Sequence, residues 1–111
     1  MSAARAPARL EYRQTTGVAA EHDWAFITSH AAILIEVRRN PEATVRELAD
    51  GAGLTERQAH RVLGDLVDAG YIERTRVGRR NQYRINSSQP MRHRSVRHHR
   101  VDDLLAALSP R

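Results

Sequence analysis

The stretch TVRELADGAGLTERQAHRVLGDLVDAGYIERTRVGRRNQYRI, from Thr44 to Ile85, decides the fold. The segments 44–47 and 55–58 each match a capping box, in which a threonine and a glutamate or glutamine three residues later satisfy free backbone donors. These boxes start eleven residues apart, and the segment Gly51-Ala52-Gly53 is predicted to break the helix between them. Two short helices joined in this way form a helix-turn-helix.

The second helix of the pair is predicted over residues 55–69. Leu54 precedes it and is expected to pack into the corner between the helices. Gly70 is expected at its carboxyl end, because glycine adopts the positive φ that helix ends often need. Its apolar residues recur at helical spacing and predict one buried face. They are Ala59, Val62, Leu63, Leu66 and Val67.

Residues 71–85 alternate as two strands and predict a basic β-hairpin. The strands are expected over 71–77 and 82–85, with a turn at Gly78-Arg79-Arg80-Asn81. A helix-turn-helix followed by such a hairpin, or wing, is typical of the winged helix. The second helix of this fold generally enters the major groove of DNA.

The flanking segments complete a predicted organisation in three parts. Residues 1–22 show no period and predict a flexible basic arm. Residues 23–89 form the winged domain, which opens at Trp24 and Phe26 and continues into a helix over about 29–39, ended by Asn40-Pro41. Residues 90–111 are a basic connector and a short amphipathic helix. The fold class is therefore mainly α with a small β-hairpin (α+β), a three-helix core plus wing and C-terminal helix.

Length and composition favour one small domain. The chain has 111 residues, of which 41% are hydrophobic and 28% charged, as in ordinary globular proteins. No apolar run reaches the ~20 residues of a membrane span, and the first residues lack the pattern of a signal peptide. A cytoplasmic location with no membrane partner is the default expectation. Without cysteine, disulfides and thiolate metal sites are excluded.

Charge is concentrated in the second half of the chain. The net charge is +5, every basic residue is arginine, and no acid occurs between Arg74 and Val101. That acid-free stretch holds nine arginines and His93, His98 and His99. A block this basic favours a polyanionic partner, of which double-stranded DNA suits the fold best. For residues 90–100 a solvated basic tail is an equal alternative.

The outward face of the second helix supplies most of the candidate DNA-binding residues. Arg57 and Arg61 lie one turn apart, and guanidinium groups fork onto guanine edges or phosphates. Gln58 has the chemistry to pair with adenine. The alternative is an ordinary solvated helix face. The candidates on this helix are Thr55, Glu56, Arg57, Gln58, His60 and Arg61, and Thr44 at the start of the preceding helix is a further candidate.

The hairpin supplies the remaining candidates. Arg79 and Arg80 flank the glycine turn, where no core is expected, and suit the minor groove or its phosphates. Arg84 is a weaker candidate. Arg74 and Arg76 share a strand face with Ile72, so their stems are expected to cover the core.

Metal binding and catalysis find little support. His98, His99, Asp102 and Asp103 are close in sequence and offer ligand types for zinc or nickel, but nothing sharper in their spacing supports a site. No glycine-rich phosphate loop, cysteine nucleophile or serine elbow occurs. We expect no metal, no cofactor and no enzyme activity.

The last helix needs a partner for its apolar stripe, because so short a helix is unstable alone in water. The stripe consists of Val101, Leu104, Leu105 and Leu108. It is expected to pack either on the first helix or on a second subunit. A homodimer through this helix, with Trp24, Phe26 and the first helix, is favoured.

The stretch from Ile27 to Ile85 resembles small prokaryotic winged-helix transcriptional regulators of the MarR/ArsR type. The resemblance rests on Ala59-His60-Arg61 midway along the second helix, on Leu66 with Ala69-Gly70 and Ile72, and on Gly78-Arg79-Arg80 with Tyr83. It implies sequence-specific DNA binding as a homodimer. The metal-binding cysteines of the ArsR type are absent, and the long flanking helices of the MarR type are missing or short, so any small-molecule effector is unknown.

The predicted function is that of a sequence-specific DNA-binding transcriptional regulator, with the recognition helix (about 55–69) in the major groove and the wing (71–85) on the minor groove or phosphates. Two alternatives remain. One is a winged-helix adaptor that binds other proteins, and the other is a non-specific nucleic-acid-binding protein. Loss of specific binding on substitution of Arg57 or Arg61 separates them.

Overall fold

The computed structural model describes residues 25–108. The predicted arm and Trp24 lie outside this range. The elements run in the order α1 (Ser29–Arg39), α2 (Val45–Ala52), α3 (Glu56–Asp68), β1 (Ile72–Val77), β2 (Arg80–Ile85) and α4 (Val101–Leu108). This order confirms the predicted α+β winged-helix fold.

Both predicted capping boxes are present. The hydroxyl oxygens of Thr44 and Thr55 accept hydrogen bonds from the backbone N–H groups of Glu47 and Gln58 at 3.1 Å. In return, the backbone N–H of each threonine donates to the side-chain oxygen of that glutamate or glutamine at 2.9 Å. One boundary was predicted wrongly, since α2 continues through Gly51 and Ala52. It ends at Gly53, whose φ of 73° turns the chain toward α3.

The core lies between the helices and the base of the hairpin. Leu54 packs partly buried at the corner, as predicted, and Val67 is only half-buried. The buried set contains the predicted stripe of α3 from Ala59 to Leu66 together with residues of every other element. It comprises Ile33, Leu34, Val37, Ala43, Leu48, Ala49, Ala59, Val62, Leu63, Leu66, Tyr71, Ile72, Tyr83, Val101 and Leu105.

Helix α4 packs on its own domain. Val101 and Leu105 are each 1% exposed within the single chain, and Asp102 faces Arg38 of α1 at 3.6 Å. Of the two partners predicted for this stripe, the structure therefore shows the first helix. Leu108 remains 41% exposed at the end of the helix.

The hairpin differs from its prediction at the turn. The antiparallel register continues to the pair Val77↔Arg80, so β2 begins at Arg80 and not at Gln82. Only Gly78 and Arg79 form the loop, and Gly78 has the positive φ (65°) that tight hairpin loops need at their first position. The predicted four-residue turn was wrong because the ladder continues further than the glycine-arginine cluster suggested.

The base of the hairpin is fixed to the end of α3. Gly70 has φ 84°, as predicted for a helix end. The side chain of Asn86 donates to the Gly70 carbonyl at 3.2 Å, and that of Gln89 donates to the Ala69 carbonyl at 3.3 Å. The hairpin is thereby held in one position relative to α3. Within residues 25–108, no helix is long and apolar enough to cross a membrane.

Candidate nucleic-acid interface

The first two turns of α3 present a polar face to solvent. Ala59, Val62 and Leu63 are buried on the opposite side, at 1% exposure or less. The helix begins with free backbone N–H groups and the positive end of its dipole, an arrangement that favours anions. The exposed polar residues are Glu56, Arg57, Gln58, His60 and Arg61.

Arg57 and Arg61 are the cations of this face. Within residues 25–108 the structure gives neither side chain a hydrogen bond or an ion pair, so both forks are available to a ligand. They lie four residues apart, about 6 Å along the helix. A guanidinium at each position could hold a guanine edge or a phosphate oxygen.

Glu56 and His60 lie beside the arginines and face each other one turn apart. The Glu56 carboxylate is 3.9 Å from Nε2 of His60, and both side chains are more than half exposed. Glu56 also occupies the first turn, where a carboxylate is favourable to the helix dipole. The two side chains therefore have a local role independent of DNA.

Gln58 is committed to the cap of α3. Its side-chain oxygen accepts the N–H of Thr55 at 2.9 Å. A bidentate contact with adenine needs both that oxygen and the amide nitrogen. In the free protein that oxygen is shared with the cap, whereas the amide N–H groups have no hydrogen-bond acceptor among the described residues.

The capping threonines keep one free donor each. Their oxygens accept backbone N–H groups, while the hydroxyl hydrogens of Thr44 and Thr55 point to no partner among the described residues. Both side chains are exposed at a helix N-terminus. Each hydroxyl is suited to donate to a phosphate oxygen.

The three arginines of the wing that are candidate DNA-binding residues differ in their surroundings. Arg79 lies in the loop and has no hydrogen bond or ion pair within residues 25–108. Arg80, expected to project freely, instead donates to the main-chain oxygen of Glu42 at 2.6 Å. Arg84 pairs with Glu73 on the neighbouring strand, and this hydrogen bond raises the pKa of the guanidinium. Of these three, only Arg79 has a side chain without a partner among the described residues.

Residues 27–80 match the sequence model of the MarR family, a span that covers α1 to the start of β2. This segment is a MarR-family winged helix. MarR-family proteins are DNA-binding transcriptional regulators, and they generally bind DNA as dimers. They are regulators rather than enzymes. No curated protein matches the chain.

Two residues that hold the MarR-family wing in place were missed from sequence. Glu42 accepts Arg80 through its main chain, and its carboxylate accepts the side chain of Gln82 at 3.3 Å. The N–H of Tyr83 also donates to the Pro41 carbonyl at 3.2 Å. These contacts join segments about 40 residues apart, and no local pattern in the sequence signals them.

The histidine-rich segment next to α4 shows pairwise contacts. His99 lies 3.5 Å from the carboxylate of Asp103, and the rings of His98 and His99 are 4.4 Å apart. Among residues 25–108, no three histidine or acidic side chains are placed to hold one metal ion. A hydrogen bond from the Arg100 N–H lowers the pKa of Asp103, with a smaller contribution from His99. Asp103 thus caps the start of α4.

Proposed function

We propose that this MarR-family protein is a sequence-specific transcriptional regulator, with the N-terminal turns of α3 in the major groove. One observation carries the proposal. Arg57 and Arg61 lie one turn apart on the exposed face of a capped helix, with no partner among the described residues. A helix held at both ends can place two guanidinium groups against base edges with little loss of backbone freedom.

The magnitude of such contacts suits specific binding. Each bidentate pair between an arginine and a guanine discriminates against other bases by about 1–3 kcal/mol. Two pairs per recognition helix, doubled in a dimer, are comparable with the ~4–10 kcal/mol that separates specific from non-specific binding. Attraction between the arginines and phosphates alone would supply affinity without this discrimination.

The wing has a divided role in the proposal. Arg79 contacts the minor groove or the phosphates beside it, because its charge is exposed at the tip. Arg80 keeps a lesser contact through its remaining N–H groups and mainly holds β2 against the body. Arg84 contributes least, because Glu73 balances its charge.

The proposal includes a homodimer. Family members generally bind DNA as dimers, which place two recognition helices about 34 Å apart in successive turns of the groove. Val101 and Leu105 are buried within their own chain, so they leave little of α4 for a subunit interface. Phe26, just before α1, is 89% exposed, and Leu108, at the end of α4, is 41% exposed.

Selection of fragmented source-genome DNA by the purified protein tests this proposal. Fragments are recovered at low and near-physiological salt and sequenced, with an Arg57→Ala/Arg61→Ala variant alongside. The expected result is a few fragments that share an inverted repeat, lost with the variant. Uniform recovery that disappears with salt would contradict it and indicate phosphate attraction only.

A further inference from the structure

The basic loop, residues 90–100, is closed on itself and does not form an extended linker. The Met91 N–H donates to the His99 carbonyl at 3.0 Å, and Pro90 pairs with Arg100 in an antiparallel bridge. Two further turns inside the loop are closed by backbone hydrogen bonds of 2.9 Å. A closed loop holds its side chains in a restricted arrangement, unlike a solvated tail.

The basic loop is also fixed to the domain. The Tyr71 hydroxyl donates to the Pro90 carbonyl at 2.6 Å, and Met91 packs against the core. After the loop, the Val101 N–H donates to the Gln89 carbonyl at 2.9 Å. Because its two ends are held at adjacent points of the core, the loop moves with the domain.

The exposed side chains of the loop are almost all basic. Arg92, Arg94 and Arg97 form no ion pair within residues 25–108. Asp103, which follows the loop, offsets part of the charge of Arg100, while Asp102 faces Arg38 instead. The exposed basic residues are Arg92, His93, Arg94, Arg97, His98, His99 and Arg100.

The position of the loop separates it from the recognition surface. It follows Gln89, which is bonded to Ala69 at the carboxyl end of α3. A helix of 13 residues spans about 20 Å, so the loop lies at the opposite end of α3 from Arg57. The negative end of the helix dipole, about half a charge, cannot balance three free arginines.

We infer that the basic loop is a second binding surface for the phosphate backbone of DNA, separate from α3 and the wing. The inference rests on the proposed function for its choice of polyanion. Guanidinium groups fork onto phosphate oxygens, and a loop whose backbone is already closed binds with less ordering cost than a tail. Once α3 holds a duplex, nearby phosphates are present at high effective concentration.

The phosphates could belong to the flank of the same duplex or to a second duplex. The test uses the full-length protein as wild type, as Arg92→Gln/Arg94→Gln/Arg97→Gln, and as the matched triple Arg→Lys variant, which keeps the charge. Binding to duplexes of about 12 and about 40 base pairs is measured against salt. Protein on an immobilised duplex is also tested for capture of a second, labelled duplex.

The glutamine variant is expected to lose roughly tenfold or more in affinity at about 100 mM salt. The slope of the logarithm of its binding constant against the logarithm of the salt concentration should be shallower by about two to three. The lysine variant, which keeps the charge, should keep the salt dependence of the wild type. A loss confined to the longer duplex assigns the loop to the flank, and a loss confined to capture assigns it to a second duplex. Either of these two results supports the inference.

Unchanged affinity, slope and capture in the glutamine variant would overturn the inference. So would a loss that appears only with a single-stranded RNA probe, since the partner would then be RNA. An Arg57→Ala/Arg61→Ala variant run in parallel distinguishes failure of the loop inference from failure of the proposed function. If that variant loses binding while the loop variant does not, only the loop inference fails.

Discussion

The guanidinium of Arg80 donates a hydrogen bond to the main-chain oxygen of Glu42 at 2.6 Å, across 38 residues of sequence. The neighbouring N–H of Tyr83 donates to the Pro41 carbonyl. Together these bonds join β2 to the segment between α1 and α2. The direction in which the wing projects is therefore set by the body of the domain and not by the hairpin alone.

Arg80→Ala is expected to loosen the wing in the absence of DNA. A hydrogen bond from a charged group contributes about 1 kcal/mol at an exposed site, equivalent to roughly fivefold faster amide exchange. Hydrogen exchange of the β1 and β2 amides measures this directly. Arg79→Ala is the matched control, because the Arg79 side chain has no partner in the described chain and its loss should leave exchange unchanged. Equal exchange in both variants would show that Arg80 does not anchor the wing.

Gln58 is expected to act through the cap of α3. Gln58→Ala should lower the free energy of unfolding by about 1 kcal/mol, since the N–H of Thr55 loses its acceptor. Gln58→Glu keeps a capping box and should retain that stability. Its added carboxylate should nevertheless weaken DNA binding, because it faces phosphates. Urea denaturation and DNA titration of both variants separate the two effects.

The opposite pattern would contradict the capping role. If Gln58→Ala leaves stability unchanged and alters base preference at one position of the operator, then Gln58 contacts adenine directly. Thr55→Ala provides the positive control for loss of the cap. Thr55→Ser keeps the hydroxyl and should retain the stability of the wild type.

Leu105 should contribute to the stability of the single chain. Leu105→Ala removes a side chain that is 1% exposed, and large-to-small changes in a core cost about 2–5 kcal/mol. Leu108→Ala, at a position 41% exposed, should cost under about 1 kcal/mol. Denaturation at several protein concentrations checks both expectations. A Leu105 effect that grows with dilution would place α4 in a subunit interface instead. If the alanine variant fails to fold, the same measurement is made with Leu105→Met, which conserves the volume of the side chain.

Asp103 should stabilise the folded state at neutral pH and lose this effect in acid. The hydrogen bond from the Arg100 N–H lowers its folded pKa below the usual 3.8. The contribution is therefore fully present above the unfolded pKa and disappears as the pH falls through the folded value. Asp103→Asn should be less stable than wild type near neutral pH, and the difference should shrink as the pH falls through the lowered folded pKa. A difference that is constant with pH would contradict this.

The predictable parts of the fold are those encoded locally. The pairs Thr44–Glu47 and Thr55–Gln58 mark two helix starts, and Gly70 marks a helix end, because caps act within one turn of the backbone. The apolar spacing of α3 likewise identifies its buried face before any tertiary contact is known.

The parts of the structure that the sequence did not predict depend on contacts between distant segments, or on one residue type being suited to two different roles. The apolar stripe of α4 shows that it needs a partner, but its packing on α1 is a tertiary fact. The anchoring of Arg80 by Glu42 has no local pattern. Gln58 looked available for DNA because its residue type suits both a cap and a base contact, and only the geometry shows which role it has in the free protein.

Guanine N7 protection on a selected operator tests most directly whether the N-terminal turns of α3 lie in the major groove. Dimethyl sulfate methylates guanine N7 in that groove, where an arginine fork would cover it. We expect wild-type protein to protect guanines in both halves of an inverted repeat, and Arg57→Ala or Arg61→Ala to expose a particular guanine in each half. Specific binding with no protected guanine, or with protection that both variants retain, would contradict the account.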